Sequence, residues 1–216
     1  MQLISVNVGL PREVTWKGKT VRTGIFKEPV NARVMVRELN LDGDRQADLT
    51  VHGGVDKAVY VYPFEHYDYW RSELPDTELT PGNFGENFTV TGFKEEELNI
   101  GDHFQIGSVE LMVTQPRLPC YKLRIRFGRS DMVKRFLASR RTGFYFRVLQ
   151  EGEVGVADTL ELVSRDSNNI TVADITQLYV REKNDPALLH RATQLKALPE
   201  SWRDYFQEQV RRQDVR

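Results

Sequence analysis

The sequence predicts a mostly β, barrel-like domain followed by a three-helix α appendage. Up to about residue 165, at least seven short runs rich in β-branched and aromatic residues are separated by turn residues. Beyond it, three segments carry apolar residues at helical spacing. This order favours strands that curl into a barrel with helices gathered at one end. We therefore expect a β-rich domain over 1–165, with its core over 20–165, and a helical domain over 166–216.

The strands of the β part are predicted from alternation and from turn residues. Residues 2–8 alternate, 20–26 and 33–39 are short β-branched runs, and 57–62 forms a strand before Pro63. The later segments follow as a hairpin around Gly107-Ser108, with strands over 143–149 and 159–163 and short helices over 64–74 and 131–140.

Each helix of the tail has its own start signal. Thr171 and Asp174 have the spacing of a capping box. Asp185-Pro186 offers an N-cap followed by an N1 proline, and Pro199 opens a third segment. Because three short helices bury little alone, we expect them to pack together or on the β part.

Composition excludes several classes of protein. Apolar residues make up 40% and charged residues 28%, and every apolar run is broken by a charge, so no membrane span or signal peptide is predicted. The single cysteine excludes an internal disulfide, fits a reducing compartment, and leaves too few ligands for an iron–sulfur cluster. We therefore expect a cytoplasmic protein without membrane contact, and electrons for any redox reaction must come from outside the chain.

The charge is unevenly distributed along the chain. Residues 115–147 hold ten Lys or Arg against one acid, Asp131, so this segment carries about +9 and the remainder about −10. Such segregation indicates an anionic ligand or partner, although a solvated basic face is the alternative.

Two glycine-bearing motifs are candidate parts of a ligand site. The first contains His52, Gly53 and Gly54, whose backbone can approach a ligand closely, and Lys57, which suits a phosphate. Its alternative is a plain turn. The second is a compact loop whose amides can bind a heterocycle with mixed edges, although a structural turn is equally compatible; its candidate residues are Asn83, Phe84, Gly85, Glu86 and Asn87.

The third motif surrounds the only thiol. Two prolines fix the backbone before Cys120, and the nearby Arg117 and Lys122 favour the thiolate, which attacks electrophiles or binds a soft metal. A small buried hydrophobic residue is the alternative. We predict a strand over 122–127 with its cations on one face. In a fourth motif, Arg141 and Arg147 flank a glycine and an aromatic run and are candidate phosphate ligands.

The first three motifs, in this order, resemble the MOSC family, named after the carboxyl-terminal domain of molybdenum-cofactor sulfurase. The matching residues are 52–59, 82–87 and Pro119-Cys120. Their order and spacing, with the helical tail, resemble the stand-alone bacterial YiiM type over nearly the whole chain.

This resemblance implies a barrel of the pyruvate-kinase type and a molybdopterin-type molybdenum cofactor ligated by Cys120. It further implies reduction of N-hydroxylated compounds, including base analogues such as hydroxylaminopurine, with a separate flavin-type reductase as electron donor. His52, Lys57, Arg117, Lys122 and an arginine of 140–147 would hold phosphate and pterin, while Glu86 or His52 would supply protons. The broad family is also linked to sulfur transfer and pyridoxal phosphate, but no pyridoxal-binding domain is recognisable here.

Two other functions remain open from the residues. Cys120 is also suited to carrying sulfur as a persulfide without a metal. The basic segment is suited to a polyanion, although we consider nucleic acid a less fitting partner. The tail has no motif of its own and is compatible with covering the pocket, docking a reductase or forming a homodimer.

Overall fold

The computed structural model describes residues 1–48, 53–180 and 185–214. The first six strands are β1 (Gln2–Val8), β2 (Arg12–Trp16), β3 (Lys19–Thr23), β4 (Glu28–Val30), β5 (Val34–Val36) and β6 (Val59–Pro63). The other six are β7 (Phe88–Thr91), β8 (His103–Ile106), β9 (Val109–Pro116), β10 (Phe144–Gln150), β11 (Gly152–Val154) and β12 (Glu161–Ser164). The helices are α1 (Glu65–Glu73), α2 (Lys122–Phe127), α3 (Met132–Ser139), α4 (Val172–Val180), α5 (Pro186–Ala192) and α6 (Glu200–Asp214), and Val55–Lys57 forms a 3-10 turn.

The main sheet has the strand order β12-β8-β9-β10-β6-β7-β1-β4 among the described residues. The β6–β7 pair is parallel and the other pairs of this sheet are antiparallel. The amino-terminal half of β1 also meets the segment that enters β12, because Leu3 N–H donates to Asp158 O at 2.9 Å and Leu160 N–H to Met1 O at 2.8 Å. The sheet therefore curls until its two ends approach each other, and the predicted mostly β, barrel-like class is confirmed.

The three tail helices pack against the barrel. Residues of all three, among them Ile175, Leu189 and Phe206, belong to the same apolar core as the barrel strands. The predicted capping box is present: Asp174 N–H donates to Thr171 Oγ1 at 3.0 Å, and Thr171 N–H donates to an Asp174 carboxylate oxygen at 2.9 Å. Asp185 caps α5 through Ala187 N–H at 2.9 Å. The apolar core runs continuously from the barrel into the tail. The division into two domains near residue 165 therefore stays a prediction.

The strand predicted over 122–127 is wrong, since these residues form helix α2. Lys, Leu and Arg favour helices intrinsically, and Gly128 ends this one in the left-handed region at φ 63°. The polar and apolar alternation therefore does not sort cations to one face, and Lys122 is buried together with Leu123. A second difference is the hairpin β2–β3, in which β2 escaped prediction and β3 begins beside a turn at Lys17-Gly18.

None of the helices in the described ranges combines the length and apolarity that crossing a bilayer would need.

Candidate functional site

A cationic cavity opens beside the loop that carries Cys120. Its walls come from the chain after β3, from 44–47, from β10 and from 117–122. The cavity encloses about 90 Å³, which is room for a phosphate-sized group. Its charged walls are Lys27, Asp44, Arg45, Lys57, Arg117 and Lys122. Among the described residues, five cations line this cavity against one carboxylate, so its potential is positive and favours anions.

Arg117 is the most unusual of these cations. It is only 6% exposed, and its Nη1 atom has no hydrogen-bond partner among the described residues. Its guanidinium lies 5.2 Å from the ring centre of Tyr60 and 5.0 Å from that of Phe136. Although desolvation by burial opposes it, the surrounding Tyr60, Tyr145 and Cys120 groups raise the pKa of Arg117 above its usual value. The side chain is therefore a desolvated, charged donor without a carboxylate in the described part of the chain.

The floor of the cavity is a buried network around Asp44. Lys27 donates to Asp44 Oδ1, which also accepts from Gly9 N–H at 3.0 Å. Asn87 Nδ2 donates to Asp44 Oδ2 at 2.8 Å, and Asn87 Oδ1 accepts from Tyr60 N–H at 3.1 Å. Burial lowers the pKa of Lys27 despite its ion pair with Asp44. This network neutralises Lys27 and fixes Asn87 as a wall of the cavity.

Cys120 is half-buried and lines this cavity together with Lys57, Lys122 and Tyr145. The two prolines predicted to fix it precede α2, and Cys120 O accepts from Leu123 N–H at 3.0 Å in the first turn of that helix. Burial raises the pKa of Tyr145, so its hydroxyl keeps its proton as a donor. Burial lowers the pKa of Lys57, which Asp56 partly offsets.

A second cavity adjoins the first across the same residues. Lys57, Leu118, Cys120 and Tyr145 line both, and the far wall of the second belongs to the tail helices. Cys120 therefore lies between the cationic cavity and the second cavity. Among the described residues, no group of three or more His, Cys, Asp or Glu side chains is arranged to hold a metal ion.

The predicted loop 82–87 contributes to the cavity through Gly85 and Asn87 alone. Glu86 is fully buried and does not line it; its carboxylate accepts from Gly82 N–H at 2.9 Å, Phe84 N–H at 3.0 Å, Thr89 Oγ1 at 3.0 Å and the Tyr67 hydroxyl. Desolvation raises the pKa of Glu86, which these donors partly offset. This position fits an internal brace of the loop and gives the predicted catalytic role no support.

Two more residues of this loop serve packing. Phe84 stacks on Tyr62 at 4.5 Å between ring centres and is fully buried. Asn83 Nδ2 donates to Glu78 O at 3.1 Å, and its Oδ1 accepts from Arg126. Gly82 is required by geometry, because at φ 88° a Cβ there would lie 2.6 Å from Lys27 O. Neither Asn83 nor Phe84 reaches the cavity, so their predicted cofactor contacts are not supported.

The basic segment does not form one continuous charged surface. Arg147 Nε donates to Asp56 Oδ1 at 2.9 Å, and Arg141 lies 4.0 Å from the ring centre of Tyr69 while donating to Ser139 O. Neither arginine lines the cavity, so their assignment as cofactor ligands gains no support from it and stays a prediction. Asp131 pairs with both Arg129 and Arg135, which keeps the pKa of this carboxyl far below its usual range. Local acids and rings thus engage much of the segment's charge.

The first glycine motif is described only in part. His52 lies outside the described residues. Gly54 has φ 101° and precedes the 3-10 turn, where Lys57 N–H donates to Gly54 O at 3.0 Å. Gly53 and Gly54 do not line either cavity, whereas Lys57 lines both. The motif therefore positions Lys57, and a direct role of its glycines stays a prediction.

Several cavity residues escaped prediction. Lys27 and Asp44 lie in loops without a recognisable motif, and the fold brings them into an ion pair although 17 residues separate them in sequence. Tyr145 sits in the aromatic run after Gly143, and it is the member of that run that lines both cavities. The alternation of side chains along β10 was the signal that could have identified Tyr145, because it lies on the other face of the strand from the buried Phe144 and Phe146.

The curled sheet followed by a three-helix tail places the protein in the class of MOSC domains joined to a helical appendage. The MOSC domain model matches residues 48–161, and the model for the YiiM-like 3-alpha helix domain matches residues 170–213. The chain therefore belongs to the MOSC domain family.

Relatives of the whole chain agree with this assignment. The uncharacterized protein YflK of Bacillus subtilis is 43% identical over 94% of this chain and 92% of its own length. Protein YiiM of Escherichia coli is 37% identical over 83% of this chain and 81% of its own. A protein named "Reductase" from Gibberella moniliformis is 34% identical over 82% of this chain, which matches 32% of that longer protein.

Solved structures show the same fold. YiiM from Geobacillus stearothermophilus superposes with a TM-score of 0.81 at 34% identity, covering 97% of this chain and 98% of that one. YiiM from Escherichia coli gives 0.77 at 31% identity, covering 97% and 92%. The barrel and the helical tail therefore recur together in these relatives.

Proposed function

We propose that this protein is a molybdenum-cofactor-dependent reductase of N-hydroxylated compounds, with Cys120 as the ligand of the metal. One observation carries the proposal: the only thiol of the chain lies on the wall of a cationic cavity that contains Arg117, a buried guanidinium whose Nη1 atom has no partner in the described part of the chain. The relative named "Reductase" supports the class of reaction.

The side chains of the cavity fit such a cofactor chemically. Guanidinium and ammonium groups bind phosphate oxygens, so Arg117, Lys57 and Lys122 would hold the phosphate end. A thiolate is a soft ligand suited to a transition metal, which assigns the metal to Cys120. When bound, the cofactor supplies a redox centre that exchanges electrons with substrate and donor.

The reaction balances with two electrons and two protons. R–NHOH takes up two electrons and two protons, the N–O bond breaks, and R–NH₂ and water leave. The electrons come from a separate flavin-type reductase. The protein's part is to bind and orient the substrate and to donate a hydrogen bond from Tyr145, whose burial raises the pKa of its hydroxyl.

The first experiment is molybdenum content by elemental mass spectrometry, with wild type and Cys120→Ala produced in cells that make molybdopterin. We expect near-stoichiometric metal in the wild type and none in the variant, whose thermal unfolding should match wild type because Cys120 is only half-buried. Reduction of hydroxylaminopurine with a flavin reductase and NADH should disappear with the metal. A folded wild type without metal would contradict the proposal.

The same samples test the persulfide carrier. A metal-free wild type that gains a labile sulfur adduct on Cys120 after incubation with a sulfur donor would assign that role instead. A polyanion-binding module predicts that affinity falls steeply with salt, with log K against log salt concentration having a slope of about −0.9 per phosphate contact on duplex DNA. The pairing of Arg129, Arg135 and Arg147 with acids disfavours this module.

A further inference from the structure

The second cavity lies between the barrel and the helical tail. It encloses about 370 Å³, several times the volume of the cationic cavity. The barrel side consists of Gln115, Pro116, Leu118 and Pro119 with the shared Lys57, Cys120 and Tyr145. The tail side consists of Tyr179, Ser201, Trp202 and Tyr205. Its size falls in the range of small-molecule sites.

Three aromatic rings build the tail wall. Tyr179 lies 5.6 Å from Trp202 and 5.5 Å from Tyr205 between ring centres, and it connects α4 with α6. Trp202 Nε1 donates to Gln115 Oε1 at 2.6 Å, and Gln115 Nε2 donates to Asp56 O at 3.1 Å. The indole N–H is therefore already bonded to the barrel, and Trp202 has only its ring to offer a ligand.

The two cavities differ in charge on either side of Cys120. We call the second cavity the aromatic cavity, after the three rings of its tail wall. Lys57 is the only charged residue among the described residues that line it, whereas five cations line the first cavity. An anionic group gains most in the first cavity. An uncharged planar ring gains most against Tyr179, Trp202 and Tyr205, because every heteroaromatic ring has a face that stacks.

We propose, resting on the function proposed above, that this aromatic cavity is the substrate subsite. It takes the ring of an uncharged heteroaromatic hydroxylamine, with the N–O group directed toward Cys120. The tail then selects which N-hydroxylated compounds are reduced, while the barrel holds the anionic cofactor. The chemistry is the two-electron, two-proton cleavage of the N–O bond, which yields the amine and water.

A binding experiment tests the subsite without the cofactor. Cofactor-free Cys120→Ala protein is the background, and equilibrium dialysis measures the Kd for labelled adenine, an unreactive ring probe. Adding Tyr205→Leu should weaken binding by about tenfold, the size of one lost stacking contact. Tyr205 is 38% exposed, so its replacement leaves the core intact. Tyr121→Leu is the matched control, since Tyr121 follows Cys120 but does not line the cavity.

Kinetics on the loaded enzyme test selection. For Tyr205→Leu, kcat/KM for hydroxylaminopurine should fall by about tenfold, while kcat/KM for N-methylhydroxylamine, which has no ring, should stay unchanged. Equal losses for both substrates, or adenine binding unaffected by Tyr205→Leu, would overturn the subsite. A metal-free, inactive wild type that still binds adenine through Tyr205 would refute the reductase and retain the aromatic site, so the two failures are distinguishable.

Discussion

The loop 82–87 and the segment 117–122 both stand out in the sequence, yet the structure uses them in opposite ways. In the loop, Glu86 accepts from four donors and lines neither cavity. In the segment, Arg117 Nη1 has no partner in the described part of the chain, and Cys120 faces both cavities. Unusual residues whose polar atoms are bonded internally stabilise the fold. A buried charged group with an unsatisfied donor atom indicates a ligand that comes from outside.

Burying the charge of Arg117 costs free energy, and this cost gives the contrast its physical basis. A buried charge loses its hydration, and only a partner or a ligand restores that loss. Contacts with the rings of Tyr60 and Phe136 return part of it. Removing Arg117 should therefore leave the free energy of unfolding unchanged or raise it, whereas removing Glu86 should lower it.

The largest effect is expected for Glu86→Ala. The change leaves two backbone N–H groups and two hydroxyls of the loop without an acceptor. Each buried donor left unpaired costs about 1–3 kcal/mol, so the free energy of unfolding should fall by about 3 kcal/mol or more. Urea unfolding measures this loss. Glu78→Ala, four residues before this loop, is the control, because Glu78 is exposed. A loss under about 1 kcal/mol would show that the loop does not depend on this carboxylate.

The next effect separates binding from stability at Arg117. Arg117→Met keeps most of the apolar volume and removes the charge. The free energy of unfolding should stay equal or rise by about 1 kcal/mol. Molybdenum content, measured as for Cys120, should fall by about tenfold, as expected for the loss of a charge-assisted hydrogen bond. Arg117→Lys restores charge without the fork and should recover only part of the metal. Loss of stability together with unchanged metal would reverse the assignment of Arg117.

The sequence was sufficient for features encoded locally. Helix caps at Thr171 and Asp185, the Gly107 hairpin and the position of Cys120 all depend on residues a few positions apart. Helix α2 was missed because six residues of alternating polarity also fit a strand. The local signals that favour the helix are the propensity of Lys, Leu and Arg and the left-handed Gly128 that ends it, and the alternation outweighed them in the prediction.

The cavity residues were harder to predict for a different reason. Lys27 and Asp44 become neighbours only in the folded chain, and Tyr205 joins Cys120 only because the tail folds back onto the barrel. The motif around Arg147 suggested a phosphate ligand, but Asp56, distant in sequence, engages it. Sequence identifies chemical candidates, and long-range contacts determine which of them remain available to a ligand.

The smallest expected effect is the contribution of Glu86 to the pH dependence of the free energy of unfolding. It tests whether Glu86 is a buried acid with a structural role. Desolvation raises the pKa of Glu86 above its ordinary value of 4.5. The native state therefore binds this proton more tightly than the unfolded state, and the associated stability is present below about pH 4.5 and is lost as pH rises through the raised pKa. Glu86→Gln does not titrate, so it lacks this loss.

Urea unfolding of wild type and Glu86→Gln at a series of pH values from about 4 to 7 measures the slope, and subtraction removes the groups common to both. The stability of wild type relative to Glu86→Gln should decline as pH rises. An advantage that grows with pH would mean that the four donors hold the pKa of Glu86 below its ordinary value. The loop would then hold an ionised carboxylate stabilised by internal donors, whereas Arg117 is a buried cation whose Nη1 atom is unsatisfied in the described part of the chain.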